Sequence, residues 1–344
     1  MSVPVIRAVE DVPGWDHLVT DGLTTSSAFA TRADEHAALR AVAALDLGLA
    51  RVLDGHRNAL ERLLHHCPDQ VADDDRGRAA EGVVPHGVWG ADPRGAEGTP
   101  ATIAGDHVTV SGTKVFCSGA GLVERALILV RPEIESPGSV CALVDVSDPA
   151  RVIVDRDWFR GPALRSSASH RVVLDRAPIL AILGLRPGDG PDRHGAGNAL
   201  LDEPWFSGDA LRTAVTWAGA LDTVFDGTIA ALRDRTPSDA EAVLVARAAA
   251  ARATVDRWLE HATAVRDREP VTVVQRAVLQ ARLEITERCR EVLRICAELT
   301  GSHPIATDAR TARTRGDLDL LLLQHRLTPA ATRLGHDLLA EGSQ

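Results

Sequence analysis

The chain has 344 residues, 45% of them apolar, and a formal net charge of −10. That size and apolar share describe a globular chain with a large core in two or three structural units, not a disordered one, and the acidic balance argues against a general nucleic-acid or anionic-membrane surface. Five scattered cysteines without paired spacing exclude a disulfide framework and suit a reducing compartment; with no basic-then-apolar leader and no membrane-length apolar run, the expected location is the cytoplasm.

Residues 1 to 27 carry no strong pattern. From Ala28 to Leu64, Leu39, Val42, Leu45, Leu49, Val52 and Leu53 recur at three- and four-residue steps, which predicts amphipathic helix, with Gly55 expected to divide it in two. His65-His66-Cys67 has metal-ligand residue types, but consecutive residues on a helix point apart and no further ligand follows at suitable spacing, so the trio reads as a helix end before Pro68 and no metal is expected. Residues 68 to 82, acidic and without period, read as a linker. In Val83 to Pro93, small residues around Trp89 would let backbone N–H groups approach a ligand; the plain alternative is a loop pinned by a buried tryptophan.

The stretch from Gly105 to Arg131 holds the densest β signal. Val108 and Val110 alternate with polar neighbours, Ser111-Gly112 signals a tight turn, Thr113 to Ser118 is a second β-rich run, and Ala126 to Val130 reads as a strand buried on both faces. Lys114, inside it, is the only lysine of 38 basic residues, which marks either a geometric need or chance. Val140 to Val146, Arg151 to Val154 and Arg171 to Leu174 follow, separated by turn signals at Pro137-Gly138, Asp148-Pro149 and Gly161-Pro162; such spacing favours an antiparallel barrel or sandwich. The Gly-rich segment Pro187 to Asn198 lacks dinucleotide spacing and reads as an exit linker.

The remainder is helical in pattern. Asp209 to Leu232 packs Val215, Ala218, Leu221, Val224 and Phe225 along one stripe, and Ser238 to Glu241 is a capping box opening a helix to about Val265. Val271 to Thr300 is a second long helix capped by Gly301, with Cys289 and Cys296 on its core face. Asp317 to His325 and Pro329 to Ala340 complete the bundle.

Helices, β-strands, then a helical bundle is the element order of the acyl-CoA dehydrogenase superfamily, which the chain resembles over roughly residues 30 to 340. Gly112 to Ala120 is similar to the family's signature strand, and Val88 to Pro93 sits where the family has a flavin-contacting loop. Leu201 to Leu221 resembles the first C-terminal helix, and Gly301 to Gly335 the closing helices. The resemblance implies an α+β fold: an N-terminal helical domain (1–82), a central antiparallel β-barrel domain (83–185) and a C-terminal helical bundle (186–344). It implies FAD, with the Ser118 hydroxyl near flavin N5, Phe116 and Cys117 along the isoalloxazine, and backbone groups of Trp89, Gly90 and Ala91 at the pyrimidine edge. It also implies a homodimer or tetramer sharing each cofactor between subunits.

Three departures stand out. The family's catalytic glutamate is missing from Leu321 to Arg326; His325 is nearest that slot, and Asp209, on the first C-terminal helix, is the second candidate base. The family's pyrophosphate segment appears as Glu298 to Ser302, so the carboxylate of Glu298 stands near Gly301 where a neutral amide is usual. The N-terminal helical region is short, and an Arg-x-x-Phe-Gly motif is absent. Ser111 to Lys114 matches Ser-x-x-Lys but falls in β context, and Ser118 lacks a nucleophile-elbow frame. The expected activity is flavin-dependent α,β-dehydrogenation of a small acyl thioester or related carbonyl compound, with an unspecified electron acceptor. The alternatives are a monooxygenase of the same fold and a non-catalytic acyl-ligand-binding or structural relative.

Overall fold

The structure, a computed structural model, describes residues 14–103, 109–132, 139–184, 198–324 and 327–341. Its contacts form two units, Met1–Thr31 with Arg51–Phe206, and Arg32–Ala50 with Ser207–Gln344.

The first unit holds strands β1 (His86–Trp89), β2 (Thr102–Ile103), β3 (Thr109–Cys117), β4 (Arg125–Pro132), β5 (Val140–Asp145), β6 (Val152–Asp155) and β7 (His170–Leu183). Strands β4, β2, β3, β7 and β5 close a five-stranded ring, with β1 added beside β4 and β6 beside β7. Most pairs are antiparallel, but β1 and β2 both run parallel to β4. The all-antiparallel barrel expected from sequence is therefore corrected to a mixed one. Strand direction is settled by partners distant in sequence, which local spacing does not report. Inward side chains such as Val110, Cys117, Ile128, Val144, Val172 and Leu174 fill the ring.

Ser111-Gly112 does not turn the chain. It lies within β3, where the register against β7 shifts between Val110 and Gly112. Gly112 has φ 133°, and a Cβ there would stand 2.5 Å from the Ala101 Cα, so glycine serves a bulge and a close backbone approach. Val108 lies outside the described residues.

Two helical expectations also change. After α1 (Trp15–Thr20), helices α2 (Arg32–Leu45) and α3 (Leu47–Glu61) divide at Asp46, not Gly55. The Asp46 carboxylate accepts from the Leu49 N–H at 2.8 Å, which stabilises a new helix start, whereas glycine inside a helix is only mildly unfavourable. The segment read as a linker contains α4 (Asp73–Glu81): three aspartates in its first turn complement the helix dipole, and Gly82, at φ 70°, caps its end. His66 closes a π-turn and bonds Asp202 at 2.8 Å.

The second unit is helical: α2, then α5 (Trp205–Arg233), α6 (Asp239–Arg266), α7 (Val271–Thr300), α8 (His303–Thr307), α9 (Ala309–Gln324) and α10 (Thr328–Glu341). The Ser238–Glu241 capping box forms as the sequence indicates, and Gly301 caps α7 at φ 63°. Cys289 and Cys296 are buried in the core. Arg40 joins α2 to Asp222 and Asp256 at 2.6 Å each.

Candidate flavin site

The end of β3 departs from ordinary strand geometry where the sequence places its chemistry. Between Lys114 and Cys117 the register against β7 shifts again, and Phe116 takes φ 54°. A left-handed backbone at a bulky residue is unfavourable by about 1–3 kcal/mol, and such positions gather at functional sites. The shift turns the Phe116 ring outward, 50% exposed, while Cys117 stays sealed in the barrel. Burial pushes the Cys117 thiol well above its ordinary pKa, keeping it neutral. The Cys117 sulfur faces the apolar core, so a cofactor contact at this residue is left to its backbone.

Around Phe116 stand residues that sequence reasoning missed. The ring packs edge-on against Trp158 at 4.8 Å and Phe159 at 6.5 Å. Asp155 builds that loop, accepting from the backbone N–H groups of Asp157 and Trp158 at 3.1 Å each and from Arg171 at 2.5 Å. Trp158 also lines a 380 Å³ cavity with Asp155, Asp157, Arg160 and Arg171. Leu164 and Ala168 have φ 53° and 45°, so three of the four left-handed non-glycine residues described lie here.

Ser118 adjoins this wall. Its Oγ is 3.0 Å from Ser169 Oγ, which is 2.7 Å from Ser167 Oγ, and Ser167 donates to the Leu164 carbonyl at 2.7 Å. The sequence signal for this chain is the serine-rich run Ser166-Ser167-Ala168-Ser169. His170 follows directly; burial and the charges of Arg156 and Arg165 lower its pKa, and its buried Nδ1 has no hydrogen-bond partner among the described residues.

The loop after β1 completes the arrangement. Trp89 is buried, and its indole N–H donates to the Ser118 carbonyl at 3.0 Å. Gly90 and Ala91 are exposed beside it. The Val115 N–H donates to the Ala91 carbonyl at 3.1 Å. The Lys114 ammonium, buried within the barrel wall, donates to Gly90 O (3.3 Å), Leu129 O (2.8 Å) and Asp92 Oδ1 (2.7 Å). Burial lowers its pKa while the Asp92 carboxylate works against that shift.

The structure therefore brings Trp89, Gly90, Ala91, Phe116 and Ser118 together in the first unit. Asp209, Glu298 and Gly301 belong to the second. Asp209 pairs with Arg212 at 3.3 Å, and the buried Arg212 also pairs with Glu35 at 3.3 Å. Glu298 is half exposed and pairs with Arg294 at 2.9 Å. His325 lies outside the described residues. Among the described residues no cluster of His, Cys, Asp and Glu is arranged for a metal ion.

No family model and no curated protein sequence matches the chain. Solved structures do. FMN-bound TdsC from Paenibacillus sp. A11-2 superposes with a TM-score of 0.75 at 17% identity, over 95% of this chain and 90% of TdsC. The nitrososynthase from Micromonospora carbonacea var. africana gives 0.74 at 18% identity, over 94% and 88%. KijD3, bound to FMN and a dTDP-linked amino-keto sugar, gives 0.73 at 22% identity, over 94% and 86%. The chain has the fold of these proteins, of which TdsC and KijD3 hold FMN.

Proposed function

We propose that the protein is a flavin-dependent monooxygenase of this fold, taking reduced FMN and a small organic substrate. The direction of the serine chain carries the reading. The Leu164 carbonyl can only accept, so Ser167 uses its proton there. Ser169 must then donate to Ser167, and Ser118 to Ser169. The Ser118 hydroxyl directs its single proton inward and offers lone pairs outward. Oxidised flavin N5 is likewise only an acceptor, whereas the reduced ring carries an N5–H. An acceptor beside N5 suits the reduced cofactor, the form an oxygenase exposes to dioxygen; a dehydrogenase begins with the oxidised form.

The residues present fit such a group. Phe116 offers an exposed aromatic face, Gly90 and Ala91 an exposed backbone edge, and His170 an orphaned buried nitrogen. A bound flavin would supply two-electron reduction and, once reduced, reactivity toward dioxygen. Phe116, braced by Trp158, would cover the ring and exclude water, and Ser118 would accept from N5–H. FMN in place of the expected FAD is supported by the FMN held in TdsC and KijD3, and by the carboxylate of Glu298 in the segment expected at a pyrophosphate. In the α,β-dehydrogenation reading, His325 or Asp209 would take the α-proton, but the Asp209 carboxylate is engaged by Arg212.

Anaerobic titration with oxidised and chemically reduced FMN tests this reading, and reduced FMN should bind more tightly. Equal or reversed preference refutes the acceptor assignment. Bleaching of bound oxidised flavin by any member of an acyl-CoA panel returns the protein to dehydrogenation. Rejection of both flavins removes the flavoprotein class.

A further inference from the structure

The chain keeps one lysine among 38 basic residues, and that lysine is buried with three acceptors around its ammonium. A compact ammonium donates in three directions; a guanidinium is a wide planar fork and does not fit the same cage. The acceptors come from two places, the loop after β1 (Gly90 and Asp92) and β4 (Leu129), and Asp92 Oδ2 also accepts from the Arg131 guanidinium on β4 at 2.8 Å. The loop is thus tied to two strands.

The consequence lies in the peptide planes. In a trans peptide the carbonyl and the following N–H point in opposite directions. Lys114 draws the Gly90 carbonyl inward, and the Val115 N–H draws the Ala91 carbonyl inward. The N–H groups of Ala91 and Asp92 are thereby turned away from the barrel wall, at residues where Gly90 and Ala91 are exposed. We infer that Lys114 is a positioning residue that fixes the Gly90–Asp92 loop as a backbone N–H donor edge for a carbonyl oxygen of the ligand. Resting on the flavin reading above, the ligand atoms are the pyrimidine carbonyl oxygens, and Lys114 acts on them only through the loop.

The test compares FMN with its 2-thio and 4-thio analogues, whose sulfur is the weaker acceptor, by anaerobic titration of wild type and Lys114→Met in the reduced state. Wild type should prefer FMN to at least one thio analogue by about twofold to tenfold, the worth of a neutral hydrogen bond. Lys114→Met should abolish that preference while retaining flavin binding, and Lys114→Arg should not restore it. A merely structural lysine would weaken FMN and its analogues equally, leaving the ratio at the wild-type value, and that result overturns the inference. So does a wild type without any preference. Asp92→Ala, which removes the loop side chain that the ammonium holds at 2.7 Å, gives the same readout if Lys114→Met does not fold. A wild type that binds no flavin fails the functional reading instead, so the two failures are distinguishable.

Discussion

Replacing Ser169 with alanine removes the middle hydroxyl of the chain that sets the polarity of Ser118. Ser167 retains its bond to the Leu164 carbonyl but loses the proton donated by Ser169, and the Ser118 proton loses its acceptor. Ser118 is then free to rotate and donate outward, which favours oxidised flavin and removes the preference for reduced flavin. One neutral hydrogen bond is worth about 0.5–1.5 kcal/mol, so the ratio of oxidised to reduced dissociation constants should fall by about twofold to tenfold. For a two-electron couple this lowers the midpoint potential of the bound flavin by about 10–30 mV. Ser169 is 8% exposed, and losing its two bonds should also reduce stability by about 1–3 kcal/mol. Spectroelectrochemical titration of bound FMN in wild type and Ser169→Ala, with urea unfolding alongside, measures both. An unchanged or raised potential in a variant that binds flavin normally would refute the donor ordering, and with it the argument for the reduced cofactor.

Gly219→Ala should destabilise the helical unit by about 3 kcal/mol or more, because the added Cβ would stand 2.1 Å from the Arg40 carbonyl and 2.9 Å from the Ala43 Cβ; urea unfolding unchanged from wild type would refute that packing. Stability should decline as pH falls below about 6.5 toward 4 and 3, since burial lowers the pKa of His36 and His86 to about 4 and of His56 to about 3. The unfolded chain then binds protons that the native state refuses, at up to about 1.4 kcal/mol per pH unit for each histidine. A urea midpoint that stays flat from pH 7 to 5 would contradict this. Light scattering should give a homodimer or a tetramer at micromolar concentration, in keeping with Leu338 and Leu339, 44% and 74% exposed on α10; a monomer would count against it.

Local chemistry made much of the chain legible. The three- and four-residue apolar rhythm marked α5 and α7, the Ser238–Glu241 pairing marked the start of α6, and Gly301 marked the end of α7, because each depends on neighbours within a turn or two. The same locality misled at Gly55, where a capping Asp46 outweighed a tolerated glycine, and at Gly112, where a positive φ served a bulge instead of a reversal. Phe116 and Ser118 were visible through a motif, yet the sequence did not say which of Phe116 and Cys117 faces outward. A register shift against β7 decides that, and strand alternation alone carries no record of it.

The sequence by itself determined the composition of the site: one lysine, a Gly-Ala loop, a Phe-Cys-Ser strand end and a serine-rich run far along the chain. Tertiary structure decided what those residues do. Ser118 and Ser169 are 51 positions apart, and Lys114 and Asp92 are 22 apart. Hydrogen-bond polarity and ion pairing depend on distances of about 3 Å between atoms that only the closed barrel brings together.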